Sequence, residues 1–244
     1  LSFAGAALAL NLVPFVVERA VQATERPPFD PSRVWAFDRV FMVPYNATLD
    51  TLSDITQYAA FLAPAVLAAA PAEDWVTIGS MYLETALLAW GLKETGKTIV
   101  SRARPYLYAA GFPDDSKTRE DWFDSFPSGH TTMAFAGASF ASYTFAACYP
   151  ESRWRWPIIT GSYGLAVTTA ILRVSGGSHY ASDVIVGALV GSAAGLLVPM
   201  LHRVRENGRG SAGKTAAAGG QIRGKPSFRL LASPAAIAIS LDLN

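Results

Sequence analysis

The sequence predicts an all-α protein, a bundle of six membrane-spanning helices with its functional residues at helix ends on one side. Three observations carry that expectation. Hydrophobic residues make up 51% of the chain and charged residues 16%, where soluble domains average about 25% charged. Mean hydropathy is positive, at +0.25. The apolar residues gather into six stretches, none of which alternates with the period of a half-buried strand.

In chain order, Leu1–Val17 is apolar apart from Ser2 and Asn11. It reads as a first membrane helix in preference to the remains of a signal sequence. Glu18–Gln57 is a long, polar and aromatic connection with Pro27, Pro28 and Pro31, and Asn46-Ala47-Thr48 in it has the form of a glycosylation sequon. Two helices follow, Tyr58–Ala72 and Trp75–Leu92, the second interrupted by Glu84. A carboxylate in a membrane helix is a candidate functional group, and a water-facing position in a bundle is the other reading. Lys93–His130 is a long charged connection. Thr131–Tyr149, Ile158–Leu172 and Val184–Leu201 complete the helices, with Arg153 and Arg155 in the short connection Pro150–Pro157. Two of the stretches are short against the roughly 20 residues that span a bilayer. Gly137, Ala138, Gly187, Gly191 and Gly195 would let helices approach closely.

Residues 1–202 form the expected helical domain, and 203–244 a flexible tail. Arg203–Arg229 holds seven Lys/Arg and one acid among many Gly and Ala, and the alternation of Ile237, Ile239, Leu241 and Leu243 suits a short strand. A formal charge of +1, from 20 basic and 19 acidic residues, argues against nucleic acid as a partner. The single cysteine, Cys148, excludes an internal disulfide and cysteine-rich metal sites. Arg153, Arg155, Arg203 and Arg205 fall on one side of a six-helix arrangement, the cytoplasmic side by the positive-inside tendency.

Three regions carry chemistry. Phe126-Pro127-Ser128-Gly129-His130 precedes an apolar helix, with Ser128 as its N-cap. The backbone N–H groups of Gly129 and His130 would then face an anion, beside a titratable ring. Further on, Arg173 and His179 flank Gly176-Gly177, and Asp183 follows His179 by four residues, on one face if the helix has begun. A carboxylate on one ring nitrogen leaves the other free as base or nucleophile, and a guanidinium suits phosphate. Earlier, Lys97 and Arg104 stand seven apart, two helical turns, and so on one face. Taken singly, each has an ordinary reading: a helix cap with a surface histidine, a structural His–Asp pair, a solvated basic cluster.

Jointly, Lys97-x6-Arg104-Pro105, then Pro127-Ser128-Gly129-His130, then Arg173-x5-His179-x3-Asp183 resemble the type 2 phosphatidic acid phosphatase superfamily, which includes bacterial non-specific acid phosphatases and vanadium haloperoxidases. One departure is Leu172, where the family usually has Ser. The resemblance implies a metal-independent, vanadate-sensitive phosphatase with no cofactor. His179 would be the nucleophile, Asp183 its orienting partner and His130 the acid and then the base. Lys97, Arg104, Ser128, Gly129 and Arg173 would hold the phosphoryl oxygens.

Six apolar segments favour a membrane-embedded enzyme whose substrate is a lipid phosphate or polyprenyl pyrophosphate, its site facing away from the cytoplasm. A soluble exported acid phosphatase, which would explain Glu84 and the short helices, is the alternative. A haloperoxidase or an inactive lipid-binding protein ranks third. Neither the particular lipid nor the oligomeric state is legible.

Overall fold

The computed structural model describes residues 28–114 and 121–202, together with Gly5, Ala9 and Asn11. Among these residues it is all-helical. The helices are α1 (Ala36–Arg39), α2 (Ala47–Phe61), α3 (Trp75–Val100), α4 (Gly129–Cys148), α5 (Arg155–Ser175) and α6 (Ala181–Leu201), with short 3-10 turns between them. Gly5, Ala9 and Asn11 of the first apolar stretch are helical, and the Asn11 amide donates to the Leu87 carbonyl on α3. The basic tail and the expected terminal strand lie outside the described residues.

Two boundaries differ from expectation. The second apolar stretch is not one helix from Tyr58 to Ala72. Its helix begins at Ala47, where the Asn46 side chain accepts from the Leu49 N–H, and it ends at Phe61. Pro64 has no N–H for a continuing helix, and Ala63–Ala69 becomes a 3-10 turn. The third helix does not stop at Leu92 but runs on to Val100, which takes in Lys93 and Lys97.

Helix α4 is the hub, packed against α6, α5, α2 and α3. Its Ala134, Ala136, Ala138, Phe140 and Ala141 are wholly buried. Small residues make the approach of α6 possible. A Cβ on Gly187 would lie 2.7 Å from the Ser128 carbonyl oxygen, and one on Gly195 would lie 2.6 Å from that of Ala136. Gly137 admits α2 in the same way, with the Ala60 carbonyl oxygen 2.5 Å from its missing Cβ.

The outside of the bundle is apolar. Ile55, Leu62, Leu83, Ile171, Ile185 and Leu189 are all at least half exposed. Among the described residues, three segments are long and apolar enough to cross a membrane: Ala47–Ala69, Arg155–Ser175 and Ala181–Leu201. Of the other expected spans, α3 carries Glu84, Lys93, Glu94 and Lys97, and α4 is rich in Gly, Ser and Thr. The interrupting Glu84 faces the end of α6, with its carboxylate 3.3 Å from His202 Nε2.

Chain direction gathers the chemistry. The start of α2, the end of α3, the start of α4, the end of α5 and the start of α6 meet at one end of the bundle, tied by Asp54–His130, Asp50–Arg173 and Ser128–Asp183 contacts.

Candidate active site

Helix α4 begins as the sequence indicates. The buried Ser128 is its N-cap and accepts from the Thr131 N–H at 3.4 Å. The Ser128 N–H donates to the Asp183 carbonyl at 3.1 Å, which joins the starts of α4 and α6. Gly129 and His130 are the first two helical residues, whose N–H groups have no acceptor within a helix. Lys93 lies against Gly129, 3.3 Å from the position of its missing Cβ.

After Arg173 at the end of α5, the chain reverses through Gly177, whose φ of +74° favours glycine. A Cβ there would also strike the Val43 carbonyl oxygen at 2.5 Å. The N–H groups of Ser178 and His179 both donate to the Arg173 carbonyl, at 3.1 and 3.2 Å, so the turn folds His179 back over the helix end.

Helix α6 starts at Ala181, so His179 and Asp183 do not share a helical face. They are brought near each other by the cap, in which the Asp183 carboxylate accepts from the Tyr180 N–H at 2.9 Å. His179 Nδ1 and Asp183 Oδ2 are 3.7 Å apart, beyond hydrogen bonding. The close partner of Nδ1 is the Ser125 carbonyl oxygen at 2.7 Å. A carbonyl only accepts, so Nδ1 carries the proton and Nε2 the lone pair. Asp183 acts one step removed: it accepts from the Ser125 hydroxyl at 2.5 Å and from Arg102 Nη1 at 2.6 Å. Arg102 also donates to Asp38 at 2.7 Å, and Asp38 in turn accepts from the Ser182 N–H and hydroxyl.

His179 Nε2 faces Arg104 Nη1 at 3.3 Å. Arg104 is also held by the Asp121 and Ser178 carbonyls, at 2.8 and 3.2 Å. Complete burial, and then the charges of Arg104 and Arg173 and the neighbouring His130, hold the His179 ring well below its ordinary pKa. This favours the neutral ring, with the Nε2 lone pair unprotonated.

Lys97 and Arg104 do not lie on one helical face. The helix ends at Val100, Ser101 turns left-handed at φ 44°, and Arg104 is extended. Lys97 sits near Glu94 and Asp124, at 3.5 and 4.0 Å.

An open cavity of about 290 Å³ occupies this end of the bundle. Of the expected site residues, Arg104, His130 and Arg173 line it, whereas Lys97, Ser128, Gly129, His179 and Asp183 are not among its lining residues. Two lining residues that the sequence reading passed over are Asp50 and Asp54 of α2. Asp50 accepts from Arg173 Nη1 at 2.5 Å and from the Ser178 hydroxyl at 2.7 Å. Asp54 pairs with His130 Nε2 at 2.7 Å. Their signal was available in Asn46, a good N-cap, followed by acids one and two turns on.

The PAP2 superfamily profile matches residues 77–206, more than half of the chain. The lipid A 1-phosphatase of Rhizobium etli is 35% identical over 127 residues, 51% of this chain and 50% of that protein. The lipid A 1-phosphatase of Porphyromonas gingivalis is 35% identical over 122 residues, 49% of this chain and 23% of that protein. The chain thus spans half or less of the length of these curated relatives. A crystal structure of the first transmembrane PAP2 type phosphatidylglycerolphosphate phosphatase from Bacillus subtilis has the same fold, with a TM-score of 0.50 and 21% identity over 82% of this chain and 98% of that one. With three ordered motifs converging at one end of a helical bundle and a profile covering most of α3 to α6, the chain belongs to the PAP2 superfamily.

Proposed function

We propose that the chain is a metal-independent phosphatase that hydrolyses a phosphorylated membrane lipid through a phosphohistidine on His179. The observation that carries this reading is the state of His179: its proton is fixed on Nδ1 by the Ser125 carbonyl, and its Nε2 lone pair is aimed at Arg104 beside the cavity. In the first step Nε2 bonds to phosphorus as the ester P–O bond breaks, and the leaving oxygen takes a proton from His130. In the second step a water oxygen bonds to phosphorus, the N–P bond breaks, and the proton of that water goes to His130.

Arg104 and Arg173 neutralise charge on the phosphoryl oxygens, and Arg104 exchanges its bond to Nε2 for one to the substrate. Lys97, Ser128 and the Gly129 and His130 N–H groups supply the second side of the oxyanion cradle, at a helix N-terminus. Asp183 steadies the nucleophile through Ser125 and Arg102.

The lipid class rests on the outer face. Large apolar side chains point outward, and small ones fill the helix contacts, which suits lipid surroundings. The same face disfavours a soluble acid phosphatase. Relatives named lipid A 1-phosphatase agree with a lipid phosphate. Arg153 and Arg155 lie at the start of α5, at the opposite end from His179. By the positive-inside tendency the site then faces away from the cytoplasm, in a multi-pass inner-membrane arrangement. A headgroup can reach the cavity while its tails stay among the helices, which avoids about 0.8 kcal/mol per CH2 exposed to water. The test is a panel of lipid phosphates and short soluble esters in mixed micelles. Turnover of long-chain lipids should exceed that of short esters at equal concentration, and a clear preference for the short ester would overturn the lipid assignment.

A further inference from the structure

Helix α2 lies outside the three motifs, yet it forms a wall of the cavity. Its register is set by the Asn46 cap, and Asp50 and Asp54, four residues apart, share the face turned to the site. Asp50 is fully engaged by Arg173, Ser178 and Tyr45. Asp54 has a different partner, His130 Nε2, at the 2.7 Å of a charge-assisted hydrogen bond.

We propose that Asp54 is the positioning partner of His130, forming a carboxylate–imidazole pair that fixes which ring nitrogen handles the substrate's proton. The inference rests on the phosphohistidine reading above and adds a residue that none of the motifs contains. An ionised carboxylate only accepts, so His130 carries a proton on Nε2 and exchanges the other at Nδ1. The two histidines are thus held in opposite tautomers: His179 is protonated at Nδ1 and His130 at Nε2. Nδ1 of His130 has no hydrogen-bond partner among the described residues.

The proton balance follows. In the first step Nδ1–H of the His130 imidazolium passes to the leaving oxygen, and the neutral ring stays bonded to Asp54 through Nε2–H. In the second step the proton from water returns to Nδ1, and Asp54 stabilises the imidazolium that forms.

A simple tie between α2 and α4 is the competing explanation. The side chains are 30% and 45% exposed, and an ion pair so open to solvent contributes little to stability. The pair is therefore poorly suited as a staple, but it is open to the cavity where a proton must be delivered.

The test compares Asp54→Asn and Asp54→Glu with the wild type on two substrates: a long-chain alkyl phosphate, whose leaving group needs protonation, and 4-nitrophenyl phosphate, whose leaving group does not. In Asp54→Asn, kcat for the alkyl phosphate should fall about 10- to 100-fold with little change in KM. Phosphorylation of His179 by the nitrophenyl ester should be nearly unaffected. Loss of the carboxylate makes the imidazolium less stable, so the alkaline limb of kcat for the alkyl substrate should move to lower pH. Asp54→Glu should restore much of the loss. Equal losses on both substrates with an unmoved pH profile, or no loss at all, would overturn the role of Asp54. Failure of the wild type to form any phosphohistidine would overturn the mechanism on which it rests.

Discussion

Adding a single methyl group at Gly191 tests the packing that aligns the site. A Cβ there would overlap the Thr132 carbonyl oxygen and lie 3.0 Å from the Ala136 N. Both atoms belong to the backbone of α4 and have no rotamer to give. Gly191→Ala therefore forces α6 off α4, an overpacking cost of about 1–3 kcal/mol. Gly164 on α5, with nothing within 4 Å of its missing Cβ, is the control. There alanine should gain up to about 1 kcal/mol of helix propensity. At about 2–4 °C per kcal/mol for a chain of this size, melting in detergent should separate the two variants by about 2–16 °C. Turnover should respond as well. Ser128 N–H to Asp183 O is the clasp between the two helix starts, and a shift of roughly 1 Å between His130 and His179 would cost about 10²-fold in kcat. Equal melting temperatures and equal turnover for Gly191→Ala and Gly164→Ala would refute the reasoning.

Two further outcomes are expected. Arg102→Met should destabilise the fold by about 3 kcal/mol in chemical or thermal unfolding, because it strands the buried carboxylates of Asp38 and Asp183 without their cation. The pH dependence should report Arg104: its charge helps hold His179 below the ordinary histidine value, so in Arg104→Gln the imidazolium becomes less costly and the nucleophile is protonated at higher pH. The acid limb of the residual kcat/KM profile on a soluble ester should move upward, and an unmoved limb would contradict the placement of Arg104 against Nε2.

What the sequence made legible divides along physical lines. The apolar runs of α4, α5 and α6 are long and nearly uncharged, and each became a helix. The second run was misread for the reason that makes it informative. The polar residues Asp50, Ser53, Asp54 and Thr56 give the first half of α2 the look of a connection, although they mark its inward face. Ser128 as a cap was readable because capping is local. Ser125, Asp38 and Arg102 were not, because their roles depend on pairings that span 54 to 81 residues of chain. The spacing of His179 and Asp183 suggested a direct pair on a helix. A helix that starts at Ala181 instead puts Ser125 between them, its carbonyl on His179 and its hydroxyl on Asp183.

The central claim is that His179 carries the phosphoryl group during turnover. The direct measurement is a rapid quench in alkali with phosphorus-labelled lipid phosphate, followed by mapping of the label. An acid-labile, alkali-stable label is expected on His179 in the wild type, present during turnover and absent from His179→Ala. An acid-stable label, a label on another residue, or label retained by His179→Ala would contradict it.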